Sequence, residues 1–100
     1  MLLREKDKAK IISLAKKTFN TPLNIWVYGS RVTGEAHDTS DLDLVVLAKN
    51  EQAIDIEEFV RFKERLINSN IPILIQVMDW NRMPVSFRDN ILSNYVELMG

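Results

Sequence analysis

The sequence predicts an α/β fold (α+β in some schemes), a short mixed sheet with helices packed against one face. Three observations predict it. Stretches of helical periodicity alternate with short runs rich in β-branched and aromatic residues. A helical stretch separates the second and third of those runs, as a right-handed parallel crossover requires. The chain has 100 residues, which is enough for one core and one domain spanning the whole length.

Residues 4–19 read as an amphipathic helix, because Ile11, Ile12, Ala15 and Phe19 recur at helical spacing. Lys6, Lys10, Lys16 and Lys17 lie between them and read as a solvated helix face rather than a basic patch. Asn20-Thr21-Pro22 ends the helix. Leu23 to Tyr28 is the first strand, with Trp26 and Tyr28 on one face and Ile25 and Val27 on the other. Apolar side chains on both faces fit a strand covered by helices, so Trp26 reads as core rather than as a base-stacking platform.

A polar connection then runs from Ser30 to Ser40 and turns at Gly34. His37 lies in its least regular part and reads as solvent-exposed rather than as an acid–base group. Residues 41–48 form the second strand, where Asp41, Asp43 and Val45 alternate with Leu42, Leu44 and Val46. Residues 50–69 read as a long helix, its apolar stripe including Ile54, Phe59, Phe62 and Leu66. Residues 71–78 are the third strand, with Pro72 early, where a ladder tolerates it. Asp79-Trp80-Asn81 turns the chain, and a last helix runs from Pro84 through Phe87, Ile91 and Leu92 towards Leu98.

Composition narrows the function classes. A net charge of −1 and a pI near 5.8 argue against a dedicated nucleic-acid binder. Without cysteine there is no disulfide frame and no thiolate zinc site, and the single His37 cannot build a zinc site by itself. No apolar run approaches the roughly 18 residues that span a bilayer. Arg4, Glu5, Lys6, Asp7 and Lys8 are unlike a signal peptide. The expectation is a cytoplasmic protein.

The chemistry concentrates in two short stretches. Asp41 and Asp43 are two apart on a strand, so their carboxylates project from the same face. Two adjacent acids repel, and a divalent cation removes the conflict. Mg²⁺ favours carboxylate oxygens combined with substrate phosphates. Gly29 lets backbone approach a ligand closely, Ser30 adds a hydroxyl, and a helix starting at Arg31 would turn free N–H groups towards an anion. Arg31 itself suits a phosphate, with a surface arginine as the plainer reading. Together these are the outline of a nucleoside-triphosphate site.

The pattern G-S-x₁₀-D-x-D, with Arg31 after the serine and hydrophobic strands on both flanks, resembles the minimal nucleotidyltransferases of the polymerase-beta-like superfamily. The resemblance covers almost the whole chain. It implies a nucleotidyltransferase-like fold and Mg²⁺-dependent transfer of a nucleoside monophosphate, AMP from ATP, to an acceptor hydroxyl. Asp41 and Asp43 would hold the metal, while Gly29, Ser30 and Arg31 would hold phosphates. Stand-alone members pair with a small helical HEPN protein, and in the best-understood pairs the transferase is the antitoxin and adenylylates the toxin. The resemblance therefore implies a HEPN partner that carries the acceptor. The third strand of the family bears a third acid, and the matching position here is Gln76. An amide has no negative charge and no useful basicity, so transfer is expected to be slower and Gln76→Asp to raise turnover. Asp79 reads as a strand-end turn or capping residue. The alternative is a weakened nucleotide-binding module that regulates its partner by contact. A tRNA-modifying enzyme is disfavoured by size and acidic pI.

Overall fold

The computed structural model describes residues 3–34 and 41–100. Helix α1 (Glu5–Thr18) turns Ile11, Leu14 and Ala15 inward. Its first turn is braced by Arg4, whose Nε and Nη2 donate to the buried Asp7 carboxylate at 2.9 and 3.2 Å. Strand β1 (Leu23–Tyr28) follows and pairs antiparallel with β2 (Leu42–Ala48) from Leu23↔Ala48 to Tyr28↔Asp43. The one-turn helix α2 (Ser30–Thr33) lies between them in sequence.

Helix α3 (Ile56–Ile67) is the crossover to β3 (Ile75–Asp79), which pairs parallel to β2 from Leu42↔Ile75 to Val46↔Asp79. The expected helix over 50–69 begins later because two short polar side chains capture backbone first. Asn50 Oδ1 accepts from Gln52 N at 3.0 Å, and Asp55 Oδ2 caps α3 by accepting from Glu58 N at 3.2 Å. The strand expected over 71–78 also begins later, past Pro72, which has no N–H for a ladder, and runs on to Asp79.

The largest departure is at the end of the chain. The expected helix stops as α4 (Val85–Leu92), and Tyr95–Met99 forms a further strand, β4. Ser93 Oγ donates to Asn90 O at 2.7 Å at the helix end. β4 then lies antiparallel beside β1, with a register shift between Ile25 and Trp26. Long-range pairing has overridden the helical spacing of the sequence. The sheet order is β3-β2-β1-β4, so β1 and β2 are central and β3 and β4 are edges.

Helices α1 and α3 pack on one face of the sheet. There Ile11, Leu14, Phe62 and Leu66 meet Ile25, Val27, Leu44 and Val46 in the main core. Phe19 and Phe62 touch with centroids 5.0 Å apart. A smaller cluster forms on the other face, where Met83 and Ile91 cover Val45 with Trp26, Tyr28, Leu47 and Trp80 around them. Trp26 is thus half-buried structure, stacked on Tyr95 at 4.0 Å and edge-on to Trp80 at 5.4 Å. Among the described residues, this second face is covered by the 3₁₀ turn (Trp80–Arg82) and α4, and it carries the acids. No helix among the described residues is long and apolar enough to cross a membrane.

Candidate active site

One row across the second face contains the chemistry. In register, Tyr95 of β4 neighbours Tyr28 of β1, Tyr28 neighbours Asp43 of β2, and Asp43 neighbours Gln76 of β3. Asp41 lies just before β2, where Leu42 N donates to Leu74 O at 2.9 Å and opens the parallel ladder. The two acids therefore share a face, and Gln76 of β3 lies beside them on it. Its amide Nε2 donates to Asp41 Oδ2 at 3.1 Å.

Gly29 closes this row from the β1 side. Its φ is +81° and its ψ is −156°, a combination that only glycine adopts without strain. A Cβ built there would lie 2.6 Å from Asp43 Oδ2. The backbone at Gly29 therefore lies directly against the second carboxylate, and any side chain there is strained and must displace it. Its carbonyl accepts from Val32 N at 3.0 Å and Thr33 N at 3.2 Å, which nucleates α2. The helix expected at Arg31 is thus a single turn beginning at Ser30, and its first N–H groups have no partner within the helix.

Burial and the neighbouring Asp41 charge both push the Asp43 carboxyl above the usual aspartate range, burial being the larger cause. Tyr28 is pushed up as well, first by burial and then by the negative charge of Asp43, so its phenol stays protonated at neutral pH. The ring of Phe87 meets the Tyr28 ring edge-on at 6.4 Å.

Other residues singled out in the sequence lie differently. Arg31 is buried, at 5% exposure, and is not a free cation, so the surface-arginine reading does not hold. Asp79 points to the helix-covered face, as its strand position predicts. Its Oδ2 accepts from Ile54 N at 2.8 Å and Arg82 Nε at 3.2 Å, and its Oδ1 accepts from Asn81 N at 3.0 Å. It is a cap and a clamp, on the opposite face of the sheet from the acid row. His37 and the rest of 35–40 lie outside the described residues.

The profile of the family described as "Polymerase beta, Nucleotidyltransferase" matches residues 9–100. The chain belongs to the polymerase-beta nucleotidyltransferase family. Among curated proteins, the chain is 36% identical over 72 residues to "Probable protein adenylyltransferase MntA" of Haemophilus influenzae. That alignment spans 72% of this chain and 61% of the relative, less than two thirds of its length.

Solved structures show the same fold. A chain of a toxin–antitoxin complex with AMP-PNP superposes with a TM-score of 0.77 at 21% identity, covering 94% of this chain and 73% of that one. A complex of a tri-AMPylated Shewanella oneidensis HEPN toxin with an MNT antitoxin gives 0.73 at 17% identity, covering 98% and 73%. The toxin–antitoxin MntA-HepT gives 0.72 at 18% identity, covering 97% and 73%.

In this family member, Tyr28 is the residue beside the acids that sequence reading passed over. The signal was present, because alternation puts residues 24, 26 and 28 on one face, but only the β1–β2 register sets Tyr28 opposite Asp43.

Proposed function

We propose that this protein transfers AMP from ATP to an acceptor hydroxyl on a partner protein of the HEPN kind and acts as that partner's antitoxin. The observation that carries the reading is the convergence of Asp41, Asp43 and the strained Gly29 turn at one end of the two central strands. The likeness to proteins described as an adenylyltransferase and as toxin–antitoxin complexes supports the choice of nucleotide and partner.

The donor set fits Mg²⁺. Two carboxylates share one face, and burial and the neighbouring Asp41 charge penalise ionisation of Asp43. One or two carboxylates with substrate phosphates are the usual Mg²⁺ arrangement. Asp41 and Asp43 would hold the ion, which supplies charge neutralisation at the transferring phosphoryl group when bound. Gly29 allows the triphosphate to approach the backbone, and the Ser30 hydroxyl and nearby N–H groups donate to its oxygens. Arg31, buried in α2, contributes a fixed positive charge at the same turn. The acceptor hydroxyl oxygen attacks the α-phosphorus, the bond to pyrophosphate breaks, pyrophosphate leaves, and the hydroxyl proton passes to solvent. The second reading is regulation by contact with nucleotide as a mere ligand. Gln76 favours it, because an amide cannot take the acceptor's proton.

Incubation with α-labelled ATP, Mg²⁺ and the HEPN partner tests the proposal. Label should pass to the partner and drop by at least about a hundredfold in Asp41→Asn or Asp43→Asn, as expected when transition-state charge stabilisation is removed. ATP binding without any transfer would leave the contact reading in its place.

A further inference from the structure

We propose that Gln76 is a positioning residue for Asp41: its amide holds one carboxylate oxygen and leaves the other to the metal ion. The inference rests on the functional reading above. Asp41 lies outside the β2 ladder, so the sheet does not fix its side chain as it fixes that of Asp43. Among the described residues, the hydrogen-bond donor that Asp41 has is Gln76 Nε2, at 3.1 Å. That bond needs both features of glutamine. The register sets Gln76 beside Asp43, not Asp41, so the side chain must reach along the strand, and asparagine is one methylene shorter. It must also donate, and a carboxylate in that position only accepts.

An acid at position 76 would face both aspartates and add a third like charge to the row. The amide does the opposite, satisfying one Asp41 oxygen with an N–H and fixing the direction of the other. This gives the position a role distinct from that of a missing ligand, and it reverses the sign expected for acidic substitutions.

Three variants separate the possibilities. Gln76→Glu keeps length and loses donation, Gln76→Asn keeps donation and loses reach, and Gln76→Leu loses both. Gln76 is exposed on an edge strand, so all three should fold, which thermal unfolding verifies. Mn²⁺ binding followed by electron paramagnetic resonance, without nucleotide, should weaken roughly ten- to hundredfold in each, the range for losing a hydrogen bond to a charged group. In turnover assays KM for the metal–ATP complex should rise more than kcat falls. The deficit should shrink in Mn²⁺, which binds such ligands more tightly than Mg²⁺. In the metal-free protein, the Gln76 side-chain amide should show a hydrogen-bonded NMR signature that disappears in Asp41→Asn.

Tighter Mn²⁺ binding and faster turnover in Gln76→Glu would overturn the proposal and make the position a ligand or base site. Wild-type Mn²⁺ affinity in Gln76→Asn would overturn it as well. If Asp41→Asn and Asp43→Asn retain full transfer, the reading of the site itself fails, whatever the Gln76 variants do.

Discussion

At the scale of single residues, Gly29 makes the sharpest demand. Its backbone lies where side chains are strained, and the space a Cβ needs is already taken by Asp43 Oδ2, 2.6 Å away. Gly29→Ala should therefore lower stability by roughly 1–3 kcal/mol from backbone strain alone. It should also push the Asp43 carboxylate out of the row. Misplacing a catalytic group by about 1 Å costs on the order of a hundredfold in rate, so turnover should fall by about that factor in protein that remains folded. Denaturant unfolding and labelled-ATP transfer check the two effects. An alanine variant with normal transfer would mean that Asp43 has room to move, contrary to the contact seen here. The G-S-x₁₀-D-x-D spacing made this pair legible, because it gave each residue a strand context. The Gln76–Asp41 bond was not legible, since it depends on a parallel register and on a side chain reaching past its own neighbour.

At the scale of elements, the acid that does not serve the site is as instructive as those that do. Asp79 ends β3 and binds the loop before α3 to the 3₁₀ turn after the strand. It accepts from Ile54 N and Asn81 N, while Arg82 reaches both Asp79 and, through Nη2, Ile54 O at 2.8 Å. Asp79→Ala strips an acceptor from a buried N–H and should cost about 2–3 kcal/mol, as expected for a hydrogen bond to a charged group. Asp79→Asn keeps one acceptor and should cost less, with nucleotide binding intact in both. Equilibrium denaturation together with ATP titration tests this. Loss of ATP binding in Asp79→Asn without unfolding would instead place Asp79 in the site.

The elements that sequence reading found, α1, β1 and β2, have local periodicity and adjacent partners. β4 escaped because Tyr95–Met99 prolongs an apolar spacing that also suits a helix. Its partner β1 lies some seventy residues earlier, at Trp26↔Glu97 and Tyr28↔Tyr95. The start of α3 escaped because Asn50 and Asp55 spend their side chains on backbone N–H groups just where the apolar stripe suggests helix.

At the scale of the whole molecule, the site is held at some expense to the fold that carries it. Asp43 is pushed above the ordinary aspartate range by burial and by Asp41. A carboxyl whose folded pKa is raised binds its proton more tightly in the native state. Above the folded pKa its ionisation therefore opposes folding, and below the unfolded pKa both states are protonated and the opposition is gone. In metal-free protein Asp43→Asn should thus unfold at a higher temperature than wild type at pH 7. That advantage should shrink as pH falls through the raised pKa and disappear below about pH 4. Addition of Mg²⁺ and ATP should reverse the order at pH 7. The wild type should gain about 2.7 kcal/mol at a ligand concentration one hundred times Kd, and the variant, lacking the proposed metal ligand, should gain little. Thermal unfolding in EDTA and in Mg²⁺–ATP, each at pH 7 and pH 4, measures both halves. A variant less stable than wild type in EDTA at pH 7 would show that Asp43 supports the apo fold. A variant stabilised by Mg²⁺–ATP as strongly as wild type would remove Asp43 from the metal site. The expected crossing of the two stabilities is what an acid retained for ligand rather than for fold would produce.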